Sequence, residues 1–315
     1  MENFLLVAKQ VAILFVLVGV GAVCRKTRLV DEFSVRGMVN VLITIVTPAL
    51  IVDCFQRPFE PSLLVQFAIG FLVAAGMHVL LIAVSGFTAA GDENTRPVLR
   101  VATVFSNAGF MGIPLEYAIL GPQGVFYGVV YVAMFNLFMW TWGLRQMQNA
   151  ERGAESRGGT LRALKSLLNP GTVGLLVGLP LFLFSITLPE VVRIPVKLMS
   201  GLNTPLAMLV IGYYLAGADF RSVLRSRPAH TAVFVRLVAS PLALVAFFWP
   251  CRGFFDRTMM LALTIAAAAP VGAMVTMFAA RYHRDVGLSV GLVSGSTVLS
   301  VLTLPPIVAV AMSVL

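Results

Sequence analysis

An asparagine, two glycines and a proline, all within eight positions, are the residues of this sequence best placed to do chemistry. They lie in the stretch Ser106-Asn107-Ala108-Gly109-Phe110-Met111-Gly112-Ile113-Pro114-Leu115, inside a long apolar segment. Glycine weakens a helix, and proline removes a backbone donor and clashes with the preceding turn. The pattern therefore predicts a broken helix whose freed N–H and C=O groups must be satisfied by protein, water or a ligand.

Asn107 is the strongest candidate for a ligand-binding side chain, because its amide offers donors and an acceptor at the start of the break. Either it hydrogen-bonds the carboxylate of a substrate or it caps the unwound backbone, and the two roles are compatible. Further candidates act through their backbone: Gly109, Gly112, Pro114, Pro270 and Gly272. The half-helix after each break presents free N–H groups and the positive end of its dipole to an anion, whereas the carbonyls before each break suit Na⁺ or a proton carrier. Alternatively, the prolines only kink membrane helices.

His78 and Arg236 are the ionisable side chains predicted to lie deepest in the membrane. Because a cation is costly there, such residues are functional candidates by default. Arg236 could hold a substrate carboxylate in a bidentate hydrogen bond, and His78 could take up a proton or couple an ion. The alternatives are that Arg236 pairs with helix carbonyls and that His78 is a satisfied core residue. Glu116 and Asp53 are predicted to lie near the outward ends of their helices, at the membrane interface.

Hydroxyl and amide side chains on other apolar segments complete the candidate binding site. They are Thr47, Asn136, Thr276 and Ser294, with Ser296 and Thr297 close to the last of them. In membrane helices such groups commonly hydrogen-bond a neighbouring helix instead of a ligand. The three cysteines are scattered without metal-ligand spacing, so the sequence predicts neither a disulfide framework nor a metal site, and no cofactor is expected.

Composition sets the class of the protein. Of 315 residues, 58% are hydrophobic and only 12% are charged, against roughly 25% charged in a soluble domain. With a mean hydropathy of +0.91, the chain is predicted to be an all-α polytopic membrane protein. The net charge of +9 is attributed to loop Lys and Arg residues that set orientation, not to a nucleic-acid partner. No HExxH motif, phosphate-binding loop or Ser/His/Asp constellation is present, so enzyme activity is not expected.

Apolar segments of about 20 residues, the length that crosses a bilayer, divide the chain into ten predicted spans. Their ranges are 3–23, 35–55, 62–88, 97–120, 123–147, 170–188, 195–217, 228–250, 257–281 and 286–313. A polar linker, residues 148–169, separates a first unit of five spans, 1–147, from a second unit of five, 170–315. The chain is therefore predicted to contain two halves of equal span number.

Basic residues predict how these spans are oriented. Sixteen of the 23 Lys and Arg residues follow odd-numbered spans, six lie on the opposite side, and Arg236 is inside a span. The loops of a membrane protein that are rich in Lys and Arg face the cytoplasm. The linker is therefore predicted to be cytoplasmic and both termini to face outward.

The two halves repeat each other's helix-breaking residues. Thr47–Pro48 in span 2 matches Thr204–Pro205 in span 7 at an offset of 157, and Pro114 in span 4 matches Pro270 in span 9 at an offset of 156. With five spans each, the halves must have opposite orientations in the membrane. Such inverted repeats are typical of secondary transporters, which bind substrate at broken helices near the bilayer midplane.

These stretches also carry a family resemblance. Asn107-Ala-Gly-Phe-Met-Gly-Ile-Pro114-Leu115 resembles the fourth-helix signature of the auxin efflux carrier family, which includes plant PIN proteins and bacterial malate or malonate permeases. The stretch from Pro270 to Tyr282 is similar to the second signature of that family, in helix 9. Supporting matches lie at Thr47–Leu50, Ser296–Thr297 and Thr303–Pro305. The resemblance covers nearly the whole chain.

The resemblance implies ten helices in two inverted repeats, with helices 4 and 9 unwound and crossed, and a scaffold domain beside a transport domain. It also implies elevator-type movement, a homodimer and, for a bacterial member, location in the inner membrane with periplasmic termini. Ser106 stands where the plant carriers have a proline, and the linker is short, as in bacterial members.

Residues and resemblance together predict a secondary active transporter, or a uniporter, of a small organic anion such as malate, malonate or an auxin-like carboxylate. One alternative is a Na⁺-coupled organic anion symporter with the architecture of the bile acid symporters. Another is a membrane receptor that keeps the fold without transporting. The sequence leaves the coupling ion, H⁺ or Na⁺, open.

Overall fold

The computed structural model of the protein describes residues 2–88, 90–148, 170–217 and 226–315, and these residues are almost entirely helical. In chain order the helices are α1 (Glu2–Lys26), α2 (Glu32–Cys54), α3 (Pro61–Thr88), α4 (Thr95–Val104), α5 (Ala108–Met147), α6 (Pro170–Leu183), α7 (Glu190–Leu215), α8 (Arg227–Cys251), α9 (Arg257–Ala268), α10 (Met274–Arg281) and α11 (Val286–Val314). The predicted linker lies outside the described residues except for its first position, Gln148.

Seven helices of the described part are long and apolar enough to cross a membrane: α1, α2, α3, α5, α7, α8 and α11. Two shorter apolar helices, α6 and α9, accompany them. These observations confirm the prediction of an all-helical polytopic membrane protein. The count of ten spans and their inverted repeat stay predictions.

The predicted fourth and ninth spans are each interrupted in the structure. The first part of span 4 is α4, which ends at Val104, and the chain resumes as α5 only at Ala108. Span 9 is split in the same way between α9, which ends at Ala268, and α10, which begins at Met274. The chain therefore leaves the helix within four residues of Asn107 in one span and at Pro270 in the other.

A sharp bend in α5 marks the boundary between predicted spans 4 and 5. Gly121 has a φ of 68° and a ψ of −160°, and Pro122 follows it. This left-handed φ strains any residue with a Cβ, which glycine lacks. The proline suits the first turn of the helix that continues toward Met147. The bend folds the two arms of α5 against each other, so residues after Gly121 contact residues before it.

Helix packing sorts the described helices into two groups. In the first group, α1 packs along α7 while α6 packs along α2, and α7 also contacts α2. In the second group, which we call the crossover group, α3, α4, α5, α8, α9, α10 and α11 pack on one another. The groups meet where α1 contacts α11 and α5, and where α2 contacts α5.

Small residues and aromatic rings hold these contacts together. At Gly21 and Gly212 an added Cβ would overlap a backbone carbonyl of the facing helix, so α1 and α7 approach closely only because both positions lack a side chain. Between the groups, the buried rings of Phe55, Phe126 and Phe182 cluster with centroids 4.9–6.3 Å apart. Such ring pairs add to the stabilisation that comes from area burial alone.

Candidate functional site

The two interrupted spans pair with each other through their backbones. The N–H of Asn107 donates to the carbonyl of Pro270 at 2.6 Å, and the N–H of Gly272 donates to the carbonyl of Phe105 at 2.9 Å. These bonds form an antiparallel β-bridge between Ser106 and Val271. We call residues 105–107 and 269–272, held together in this way, the crossover. Each break therefore satisfies polar backbone groups that the other break has freed.

Local sequence explains why the chain becomes extended at the crossover. Phe105 (φ −106°, ψ 113°) and Ala269 (φ −61°, ψ 148°) both have extended backbones, and Ala269 precedes a proline, which disfavours the helical conformation there. A Cβ on Gly272 would lie 3.0 Å from the carbonyl oxygen of Ser106. Glycine at this position therefore allows the two backbones to approach to hydrogen-bonding distance.

Asn107 restarts the helix on the far side of the break. Its carbonyl accepts hydrogen bonds from the N–H groups of Met111 and Gly112 at 3.0 and 3.1 Å, which begin α5 with a π-helical turn over Ala108–Gly112. Such turns are frequent at functional sites. Pro114 follows directly after this turn, at the second position of the regular α-helix. The asparagine is 7% exposed, so the crossover is closed in this conformation.

Arg236 lies at the crossover, fully buried, and holds the ends of the two helices that lead into it. One guanidinium nitrogen donates to the carbonyls of Val104 at 2.7 Å and Thr103 at 3.5 Å, both at the end of α4. The other donates to the carbonyl of Ala267, near the end of α9, at 2.6 Å and to the hydroxyl of Ser240 at 2.5 Å. The cation thus neutralises the negative ends of two helix dipoles at once.

His78 lies one layer away from the crossover, among aromatic rings. Its ring stacks on Phe138 with centroids 5.3 Å apart and lies 6.0 Å from the ring of Phe105, the first residue of the crossover. Nδ1 is 2.8 Å from the carbonyl oxygen of Ala74, and the side chain is fully buried. Nε2 has no hydrogen-bond partner among the described residues.

The structure places the remaining candidates in three locations. Thr276 lies half-buried in the first turn of α10, beside the crossover. From α11, Ser296 accepts a hydrogen bond from the N–H of Val271 at 3.0 Å, and Ser294 is also buried. Thr47 lies in the first group of helices, and Asn136 is half-buried in the second arm of α5. Ser296 is therefore a direct partner of the crossover, whereas Thr47 belongs to the other packing group.

Glu116 is the residue that sequence reasoning misplaced. It was predicted to lie at the membrane interface, but it is fully buried, one helical turn beyond Gly112. The interfacial prediction was wrong because position along a helix does not reveal which face is buried. The available signal in the sequence was a pair of glycines, Gly112 four residues before Glu116 and Gly128 twelve residues after it.

A cavity of about 660 Å³ opens beside the first arm of α5. Its lining carries five charged side chains: Asp53, Arg57, Glu60, Arg193 and Lys197. Cys54 and Tyr117 form part of its wall. Within the described residues, no group of three or more His, Cys, Asp or Glu side chains could hold a metal ion.

Comparison with known proteins agrees with this architecture. The family model described as "Membrane transport protein" matches residues 6–308, which is nearly the whole chain. No curated protein matches the sequence. A match of this extent includes both breaks and every helix that forms the crossover. The chain therefore belongs to the auxin efflux carrier-type family of membrane transport proteins.

Proposed function

We propose that this membrane transporter is a secondary carrier, or a uniporter, of a small organic anion such as malate, malonate or an auxin-like carboxylate. The observation that carries the proposal is the crossover, in which two helix breaks deep in the protein share backbone hydrogen bonds. Broken helices that meet in this way place several helix ends at one point, and carriers bind charged substrates at such points.

The electrostatics of the crossover favour an anion. The helices α5 and α10 both begin there, so their free N–H groups and positive dipole ends are directed toward it. The side chains we propose as ligands are Asn107 and Thr276, and Gly109 offers space, since no atom lies within 4 Å of an added Cβ. A carboxylate would accept hydrogen bonds from the Asn107 amide and from the backbone of either helix start.

Arg236 is proposed to act on the substrate through the helices. Its guanidinium already donates to carbonyls of α4 and α9, which keeps the negative ends of these helices away from an incoming carboxylate. Because the cation is held by both helices, it also fixes their relative position. We therefore propose Arg236 as a positioning residue for the binding site.

Transport is proposed to occur by an elevator movement of the crossover group against α1, α2, α6 and α7. Two features support this division. The contact of α1 with α7 and that of α6 with α2 are equivalent pairs in the predicted repeat, and the crossover lies entirely within the second group. The first group would then form the scaffold of a homodimer in the inner membrane, with periplasmic termini and a cytoplasmic linker. Alternating access would require the aromatic contact between the groups to slide.

Uptake of radiolabelled malate, malonate and indole-3-acetate into proteoliposomes tests the proposal. We expect saturable uptake of at least one anion by the native protein and at least a tenfold loss for Asn107→Ala. Asn40→Ala, on an exposed face of α2, is the matched control and should transport normally. Equal uptake by both variants would remove Asn107 from the site. Specific binding of an anion without flux would identify a receptor, and strict dependence on Na⁺ would identify a sodium symporter.

A further inference from the structure

Glu116 has a setting that structural packing alone does not explain. Its side chain is fully buried, and neither carboxyl oxygen has a hydrogen-bond partner among the described residues. Buried carboxylates normally pair with a cation or accept hydrogen bonds, because removing an unpaired charge from water costs several kcal/mol. The side chain also lies one turn beyond Gly112, close to the crossover.

Glycine at position 128 creates the space for this carboxyl group, whereas a Cβ on Gly112 would make only ordinary contact with it. A Cβ on Gly128, in the second arm of α5, would overlap the Glu116 carboxyl group, and a Cβ on Gly112 would lie 3.7 Å from Oε1. The bend at Gly121 brings the two arms together around the side chain. The chain therefore builds a closed niche of carboxyl size between the arms of one helix.

The surroundings of the niche contain no cation that neutralises the carboxylate. On α2, which packs against α5, the ionisable groups at the cavity end are Asp53 and the thiol of Cys54. The other ionisable groups on α5 and on the helices packed against it are Glu2, Lys9, Cys24, Arg25, Lys26, Glu32, Arg36, His78, Arg96, Arg100, Tyr117, Tyr127, Tyr131, Arg145, Glu190, Arg193, Lys197, Tyr213, Tyr214, Arg257 and Arg281. Within the described residues none of these forms an ion pair or hydrogen bond with Glu116.

We propose that Glu116 is the site that binds and releases the coupling proton of this carrier. In the closed conformation the acid is protonated, because the neutral form is the one that a niche without partners tolerates. When the niche is hydrated, the acid transfers its proton to water, which leaves a carboxylate and a hydronium ion. This inference rests on the proposed function, since a coupling proton requires a carrier.

An open cavity lies next to the turn of α5 that carries the niche. Tyr117, the next residue in the chain, and Cys54, on the packed helix α2, both line the cavity of about 660 Å³. The carboxyl group is therefore carried by the same turn of α5 that contributes Tyr117 to the wall of a charged, open cavity. A small displacement of α2 relative to α5, as expected when the two groups slide, would let water reach the acid.

Infrared spectroscopy tests the protonation directly and needs no substrate. In the difference spectrum between the native protein and Glu116→Gln at neutral pH, we expect the carbonyl stretching band of a protonated carboxylic acid. The control Glu60→Gln, an exposed side chain at the cavity, should show only carboxylate bands. Absence of the acid band at neutral pH in the native protein would overturn the proposal, even if transport were established.

Transport measurements then test the coupling. With malate as the probe, we expect an inward proton gradient to accelerate uptake by the native protein and an entrapped pH dye to report proton entry. Glu116→Gln should keep malate exchange but lose at least 90% of the proton entry, Glu116→Asp should restore part of it, and His78→Gln should retain it. Malate flux that ignores the gradient in both native protein and Glu116→Gln overturns the proton site while the carrier stands. An acid band without flux of any anion would instead contradict the proposed function.

Discussion

Thr47 and Asn203, which are 156 positions apart, contact each other directly: Oγ1 of the threonine lies 3.3 Å from Oδ1 of the asparagine. Each residue stands at a threonine–proline site of its own half, Thr47–Pro48 in α2 and Thr204–Pro205 in α7. The repeat found in the sequence therefore corresponds to a physical contact: Thr47 bonds the residue that directly precedes its repeat equivalent, Thr204. The contact joins α2 and α7, two of the four helices of the first packing group, next to the prolines that weaken them.

This contact predicts a measurable coupling between the two side chains. In a double-mutant cycle of Thr47→Val and Asn203→Ala, we expect a coupling free energy of about 0.6 kcal/mol, the average for such bonds between membrane helices. Unfolding of the purified protein in mixed micelles provides the measurement. Strictly additive effects would show that the contact contributes no stability. Thr47→Val should also leave malate uptake intact if this hydroxyl has a structural role and not a ligand-binding one.

The close approach at the crossover predicts that alanine is tolerated at Gly109 but not at Gly272. In Gly272→Ala the new methyl group would lie 3.0 Å from the Ser106 carbonyl, which must push the paired segments apart. We expect a loss of about 1–3 kcal/mol in stability, as for other overpacked sites, together with loss of transport. Gly109→Ala is the matched control, because no atom lies within 4 Å of its added Cβ. Equal thermal stability of the two variants would contradict the tight pairing.

Removal of the guanidinium of Arg236 is expected to weaken the ends of α4 and α9 together. In Arg236→Gln most of the hydrogen bonds to Val104, Ala267 and Ser240 are lost, and each buried group left without a partner costs about 1–3 kcal/mol. Hydrogen exchange followed by mass spectrometry should show faster exchange in both helices. Arg236→Lys keeps the charge and should restore only part of the protection. Weaker anion binding with unchanged exchange would instead assign the arginine to the substrate.

The N-terminus of α4 is expected to depend on pH through Asp92. The side chain of Asp92 accepts hydrogen bonds from the hydroxyl and N–H of Thr95, at 2.7 and 2.8 Å, and these bonds lower the pKa of Asp92 from its usual value. A carboxyl group with a lowered pKa in the folded state stabilises the fold above its unfolded pKa of about 3.9, and this contribution is lost as the pH falls through the folded value. The contribution should therefore be constant from neutral pH down to the ordinary carboxyl range.

Thermal unfolding of Asp92→Ala measures this contribution. The variant should melt below the native protein at neutral pH, and the difference should shrink once the pH falls below about 3.9. Glu93→Ala, at the exposed neighbouring position, should behave as the native protein at every pH. A difference in melting temperature that persists undiminished at acid pH would show that the stabilisation by Asp92 does not depend on its ionised carboxylate.

The breaks were predictable from the sequence because their causes are local. Glycine, proline and asparagine inside an apolar segment act on their own turn, so the positions near Asn107 and Pro270 follow from residue types alone. The detail differs at Pro114, which lies in the first turn of a regular helix, while the unwound residues are 105–107. Proline is tolerated where a helix starts, so it marks the helix beyond the break better than the break itself.

The partners of the breaks were not predictable in the same way. Which carbonyls accept from Asn107 and Arg236 depends on helices that meet only in the folded chain: Pro270 is 163 positions from Asn107, and Val104 and Ala267 are 132 and 31 positions from Arg236. The burial of Glu116 depends likewise on the bend at Gly121, which turns the niche inward. The Gly121–Pro122 dipeptide signals a turn, but its sequence does not specify what the two arms enclose.

The mutual pairing of Phe105–Asn107 with Ala269–Gly272 has a consequence for leakage. Each unwound segment satisfies polar backbone groups of the other. Separating the two segments without a substrate would therefore leave two donors and two acceptors unpaired in apolar surroundings. The carboxylate oxygens of the proposed substrate would replace the two acceptors as it enters, and water would supply the donors for the two freed carbonyls. In the proposed carrier the cost of the unpaired groups falls on a state that is open but unloaded, and we expect it to suppress leakage without a dedicated gate.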